Sequence, residues 1–150
     1  MTAWGTFAAG LSAELLELPD TATLIIVEPR PAGQRRYVQF YKDADVLAAQ
    51  LVSDKYLEEA ARADETGRQA IVRAGWQPPD ADSSFLWWAD FDAPVSLAEY
   101  DRAAALSVAG LRDGYGIADP HGLVYDAWIA GSADRRLDLP RLGLPHQRTT

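Results

Sequence analysis

Three short runs, at residues 22–27, 36–42 and 46–52, constrain the fold more than anything else in this chain. The first, Ala22-Thr23-Leu24-Ile25-Ile26-Val27, is β-branched and bounded by turn residues, which is the pattern of a strand. A loop with two prolines and a glycine, residues 29–34, separates it from the second. In that second run Val38 and Phe40 must face one side and Tyr37, Gln39 and Tyr41 the other, because successive side chains of a strand alternate. Asp43-Ala44-Asp45 suits a tight turn, and the third run then returns. Consecutive strands with connections this short predict an antiparallel meander.

Helical periodicity frames the meander. Trp4, Phe7, Leu11, Leu15 and Leu18 step by three or four and predict a helix over residues 4–18, ended by Pro19-Asp20. Asp54 suits the N-cap of a short helical turn through Lys55 to Ala61. A second helix is expected over 64–74, with Gly75 just past its end and Pro78-Pro79 forbidding continuation. Residues 85–91 read as a strand. Ser96-Leu97-Ala98-Glu99 fits a capping box, with Val95 and Tyr100 spaced as a hydrophobic staple, and predicts a helix over 96–113. Leu123 to Ile129 reads as a last strand, although its period also suits a short helix. The expectation is one α+β domain at 1–131, with an antiparallel sheet of four or five strands packed with helices. Residues 132–150, where Leu137, Leu139, Leu142 and Leu144 alternate with Pro, Arg and Gly, are expected as an extended C-terminal tail.

At 150 residues with 48% hydrophobic content, the chain can bury a substantial core. It has no cysteine, which removes disulfides, thiol catalysis and cysteine zinc sites. No apolar run approaches the length of a membrane span and no leader pattern is visible at residues 1–5, so a cytoplasmic setting is expected. The net charge of −8 disfavours a phosphate backbone as ligand, and nucleic acid is not an expected partner. An acidic surface can attract a basic polypeptide.

Patterns for chemistry fail at required positions. Gly114-Tyr115-Gly116 lacks the third glycine of a dinucleotide loop. The pairs Asp43/Asp45, Asp80/Asp82 and Asp90/Asp92 each miss an obligatory position of a calcium loop and are better read as turn aspartates. His121 and His146 have no second histidine at ligand spacing and are read as solvated side chains. No catalytic, cofactor-binding or metal-binding residue is expected. What remains is aromatic: five tryptophans, two of them adjacent at 87 and 88. Trp4 and Trp76 suit the core. In a strand, Trp87 and Trp88 must point to opposite faces. Either helices cover both faces and both rings are core, or one ring meets solvent, a second layer or a partner.

With these residues in place the chain resembles the TY-Chap family, which relates YbjN proteins to type III secretion chaperones of the CesT and YopN-chaperone kind. The likeness rests on Tyr37-Val38-Gln39-Phe40, Ser53-Asp54-Lys55-Tyr56-Leu57, Ala74-Gly75-Trp76-Gln77-Pro78-Pro79, and Tyr115-Gly116-Ile117 followed by Pro120 and Leu123-Val124-Tyr125. It covers about residues 4–130. Asp54 stands where Asn is expected, and the Trp87-Trp88 doublet is unusual. The resemblance implies a type III secretion chaperone/YbjN-like α+β fold whose sheet binds peptides, often as a dimer, with no catalytic motif to carry over.

The expected function is therefore a non-enzymatic peptide- or protein-binding chaperone or adaptor, holding an extended client on its sheet face or strand edge. Tyr37, Gln39, Tyr41, Trp87 and Trp88 are the expected contacts, and the Leu-Pro tail is a candidate to fill the groove when it is empty. The alternative is an immunity-type inhibitor whose acidic surface blocks a basic toxin.

Overall fold

The computed structural model describes residues 2–131 and 135–147. Five strands form one antiparallel sheet: β1 (Ala22–Val27), β2 (Tyr37–Lys42), β3 (Val46–Leu51), β4 (Trp87–Asp92) and β5 (Val124–Ile129). Their order is β4-β3-β2-β1-β5. The meander thus accounts for three neighbours, β4 extends it past β3, and β5 returns to pair with β1. Leu123 to Ile129 is a strand because β1 offers an unpaired edge whose register with β5 runs from Ala22 opposite Ile129 to Val27 opposite Val124.

Three helices pack on one face of the sheet: α1 (Ala3–Glu17), α2 (Glu65–Ala74) and α3 (Leu97–Val108). Each begins as its sequence dictates. Thr2, Asp64 and Ser96 cap them, and Ser96 with Glu99 forms the full capping box. Gly75 ends α2 with φ 117°, a backbone setting that suits glycine because it has no Cβ. The last turn of the third helix, Ala109–Gly114, widens into a π-helix before Gly116 turns the chain at φ 73°.

The core lies between sheet and helices. Leu24, Ile26, Val38, Phe40, Leu47 and Leu51 are fully buried against Leu11 and Leu15 of α1, Ile71 of α2 and Leu106 of α3. Trp76 plugs the end of this layer, and its indole N–H donates to the Leu106 carbonyl at 2.9 Å. Trp4 is likewise buried and donates to Ala118. Leu139 and Leu142 join the same core, with the Pro140–Leu142 turn resting on α1. The C-terminal leucines therefore pack on the helix side and do not fill the sheet's other face. Residues 136–137 and 145–147 run along the outer edge of β5, where Leu137 donates to Ala127 and Gln147 to Tyr125. Residues 132–134 and 148–150 of the expected tail lie outside the described residues.

Several local expectations are corrected. Asp54 does not cap a helical turn. Residues 54–61 form two short 3-10 turns, and the Asp54 carboxylate instead accepts from Ala63 and pairs with Arg68, tying the turns to α2. The strand expected from residue 85 starts at Trp87, because Ser84 and Phe85 both sit at positive φ, 56° and 61°. His146 is not a free solvated side chain. Its ring stacks on Tyr125 at 4.4 Å, and its Nε2 lies 3.0 Å from the Tyr125 hydroxyl and 2.7 Å from Asp138 Oδ1. A histidine in a Pro-rich segment gave no hint of that partner, because the contact spans 21 residues.

Candidate functional site

The strand alternation that fills the core on one side leaves the opposite side chains uncovered by any described helix. Pairing aligns them into two rows across the sheet. One reads Trp88, Gln50, Gln39, Ile25, Asp126, and the other Asp90, Ala48, Tyr41, Thr23, Trp128. Apart from Tyr41 and Asp90, which are exposed, these residues are half-buried by their neighbours. The rows form a surface with Trp88 and Trp128 on its two outermost strands and Gln50, Gln39, Ile25, Ala48, Tyr41 and Thr23 between. Gln39 donates to the Gln50 side-chain carbonyl at 2.6 Å, which ties the two amides together.

Trp88 occupies the β4 margin. Its indole Nε1 is buried yet has no hydrogen-bond partner among the described residues. A donor in that state costs about 1–3 kcal/mol, and a ligand carbonyl would repay it. Beside it the 80–84 loop closes a cavity of about 220 Å³ lined by Gln50, Asp80, Asp82, Ser83, Trp88 and Asp90. The loop is held by its own contacts: Asp80 accepts from Ser83 N–H, and the Ser83 hydroxyl donates to the Leu86 carbonyl. Burial, and next the charge on Asp92, push the Asp90 carboxyl above its ordinary value.

The five residues singled out in the sequence are only partly brought together. Gln39, Tyr41 and Trp88 share the open face. Tyr37 belongs to the same side by alternation, but it sits at the sheet's end and packs partly against the core. Burial raises its hydroxyl pKa. Trp87 points the other way, opposite Leu51, and packs between the core and the outer surface of α2 beside Val72. Ile25, Thr23 and Trp128 complete the open face, beyond the five residues expected from the sequence. Trp128 carried a signal in the sequence, an aromatic at alternate spacing from Asp126, but it meant something only once β5 was known to be a strand.

Among the described residues no three His, Asp or Glu side chains converge as a metal site would require. No helix among them is long and apolar enough to cross a membrane.

Helices stacked on one face of an antiparallel sheet, with an aromatic and amide-lined second face that no described helix covers, define an α+β domain of the chaperone-like type. The family model for the type III secretion (YopN, CesT) and YbjN peptide-binding chaperones, group 3, matches residues 1–129, and the chain belongs to that family. Comparison with curated proteins and with solved structures found no match.

Proposed function

We propose that this protein holds an extended segment of a client polypeptide against the open face of its sheet, without catalysing a reaction on it. The observation that carries the reading is the bare face itself. A face covered by helices would present a core, whereas this one presents Trp88 and Trp128 on its outer strands with Tyr41 and the Gln39 and Gln50 amides between them. Aromatic rings bury large area at low entropic cost. The Gln39 and Gln50 amides and the unpartnered Trp88 N–H offer hydrogen bonds to a peptide backbone. Membership of a family of peptide-binding chaperones supports this reading.

The test is titration of isotopically labelled protein with extended Thr/Val/Tyr-rich peptides, followed by NMR. Shifts gathered on Gln39, Tyr41, Ala48, Gln50 and Trp88 are expected. Shifts confined to α1, α2 and α3, or none with any peptide, would defeat it. An immunity-type inhibitor would draw on Asp80, Asp82, Asp90 and Asp92, which make no ion pair among the described residues. It would bind a folded basic partner and not an extended peptide, so the same titration separates the two.

A further inference from the structure

The two edges of the sheet differ. The outer edge of β5 is occupied by residues 136–137 and 145–147 of the chain itself. The outer edge of β4 is occupied only at Trp88, whose backbone N–H and C=O exchange hydrogen bonds with Gln77 at 3.3 and 2.8 Å. In an antiparallel ladder every second residue of an edge strand points its backbone groups outward. If Trp88 points outward, so do Asp90 and Asp92. Among the described residues nothing accepts from or donates to those groups, because Gln77 leads back through Trp76 to the end of α2. Beside them lies a crevice of about 220 Å³ bordered by Gln77, Asp90, Phe91, Glu99 and Arg102.

Register makes this edge specific. A strand continuing the line of Gln77, antiparallel to β4, would set one residue opposite Asp90 and another, two positions away, opposite Asp92. Paired residues of neighbouring strands share a face, so both side chains would stand on the open face beside the two carboxylates. The residue between them would face the helix layer, opposite Phe91, where Glu99 and Arg102 offer both signs of charge and no net preference. Asp90 and Asp92 make no ion pair among the described residues. Asp80 and Asp82 line the same cavity as Asp90 and add to its negative field.

We propose that the free edge of β4 takes an added strand from the client whose alternate residues are basic, with lysine or arginine opposite Asp90 and Asp92 and an uncharged residue between. The inference rests on the peptide-holding reading above and names the chemistry of what is held. Charge complementarity selects this occupant over a second copy of the chain. Two β4 edges paired antiparallel would set Asp90 and Asp92 against each other, and like charges directly opposite are destabilising. A cation there would also offset the penalty that partial burial places on the ionised Asp90 carboxyl.

The experiment uses three labelled, end-capped peptides with a common Thr/Val frame, carrying Lys-Val-Lys, Gln-Val-Gln or Glu-Val-Glu at the centre. Affinity is read by fluorescence anisotropy at physiological salt. The lysine peptide is expected to bind at least about fivefold more tightly than the glutamine peptide, from two cross-strand charge pairs. The D90N/D92N double variant is expected to abolish that preference while still binding the glutamine peptide. The D20N/E59Q variant removes the same charge elsewhere and should keep the preference. N-methylation of the two lysine amides, which would face β4, is expected to remove binding. Methylation of the central valine amide should spare it. Equal binding of the lysine and glutamine peptides, equal loss in the two double variants, or indifference to lysine-amide methylation would overturn the proposal, and the peptide-holding reading would survive. If none of the three peptides binds, both fall.

Discussion

Trp88 on β4 stands directly across from Gln50 on β3, and the indole N–H of Trp88 is buried there with no hydrogen-bond partner among the described residues. The Gln50 side-chain carbonyl accepts from Gln39 at 2.6 Å and makes no bond to the indole. The indole N–H is thus a donor without an acceptor among the described residues, at the margin of the open face.

This relationship separates two tryptophans by role. Trp88→Phe keeps most of the ring and removes the donor, so peptide affinity should fall severalfold while fold stability holds or rises slightly. Trp76→Ala should behave oppositely. Trp76 is 2% exposed, so the cavity it leaves should cost about 3–5 kcal/mol. Urea unfolding and peptide titration of both variants check the assignment. A Trp88→Phe variant with wild-type affinity would remove Trp88 from the binding face.

A second prediction concerns Glu28 and Arg36, which clamp the β1–β2 connection. Arg36 donates twice to the Glu28 carboxylate and once to the Tyr115 carbonyl at 2.8 Å. Glu28 is 8% exposed, so removing it strands a guanidinium in a largely dry site. Glu28→Ala should cost about 3 kcal/mol, measured by urea unfolding. A loss no larger than that of an exposed ion pair would show that Arg36 finds water or another acceptor.

The elements that depend on local periodicity were legible from the sequence: the α1 stripe, the three meander strands, the Ser96-Glu99 cap and the α2 stop at Gly75. Each is specified by residues within one turn or one strand. What was hidden depends on distant contacts. Nothing near Leu139 or Leu142 says that they close the core over α1, and nothing near His146 points to Tyr125. The candidate site was half visible for the same reason. Alternation placed Gln39 and Tyr41 together, and it required Trp87 and Trp88 to diverge. Which of the two reaches the open face depends on the register of β4 with β3. That Trp128 lies in the row of Tyr41 depends on β5 pairing with β1.

The packing of the C-terminal segment gives a third prediction. A Cβ placed on Gly10 of α1 would lie 1.9 Å from the Arg141 carbonyl oxygen, closer than any two such atoms can approach. Gly10→Ala favours the helix locally, by up to about 1 kcal/mol, yet must displace residues around 141 from α1. The variant should keep its helical circular dichroism and be cut faster by trypsin at Arg136 and Arg141. Unchanged cleavage kinetics would mean that the segment shifts without leaving α1.

The last prediction follows from Asp90 and its pH dependence. Its carboxyl is held above its ordinary value of 3.8, first by partial burial and then by the charge on Asp92. The folded state therefore binds the Asp90 proton more tightly than the unfolded chain does. That contribution to stability is fully present below the unfolded pKa and is lost as pH rises through the folded one. At neutral pH the ionised carboxylate is a small net cost to the fold. Asp90→Asn should accordingly melt at a higher temperature than the wild type at neutral pH, with the gap closing as pH falls below about 4. Thermal melts of both proteins by circular dichroism across that range check it. A basic peptide that occupies the β4 edge should close the same gap at neutral pH by stabilising only the wild type. An Asp90→Asn variant less stable than the wild type at neutral pH would show that the carboxylate is serving the fold and not a ligand.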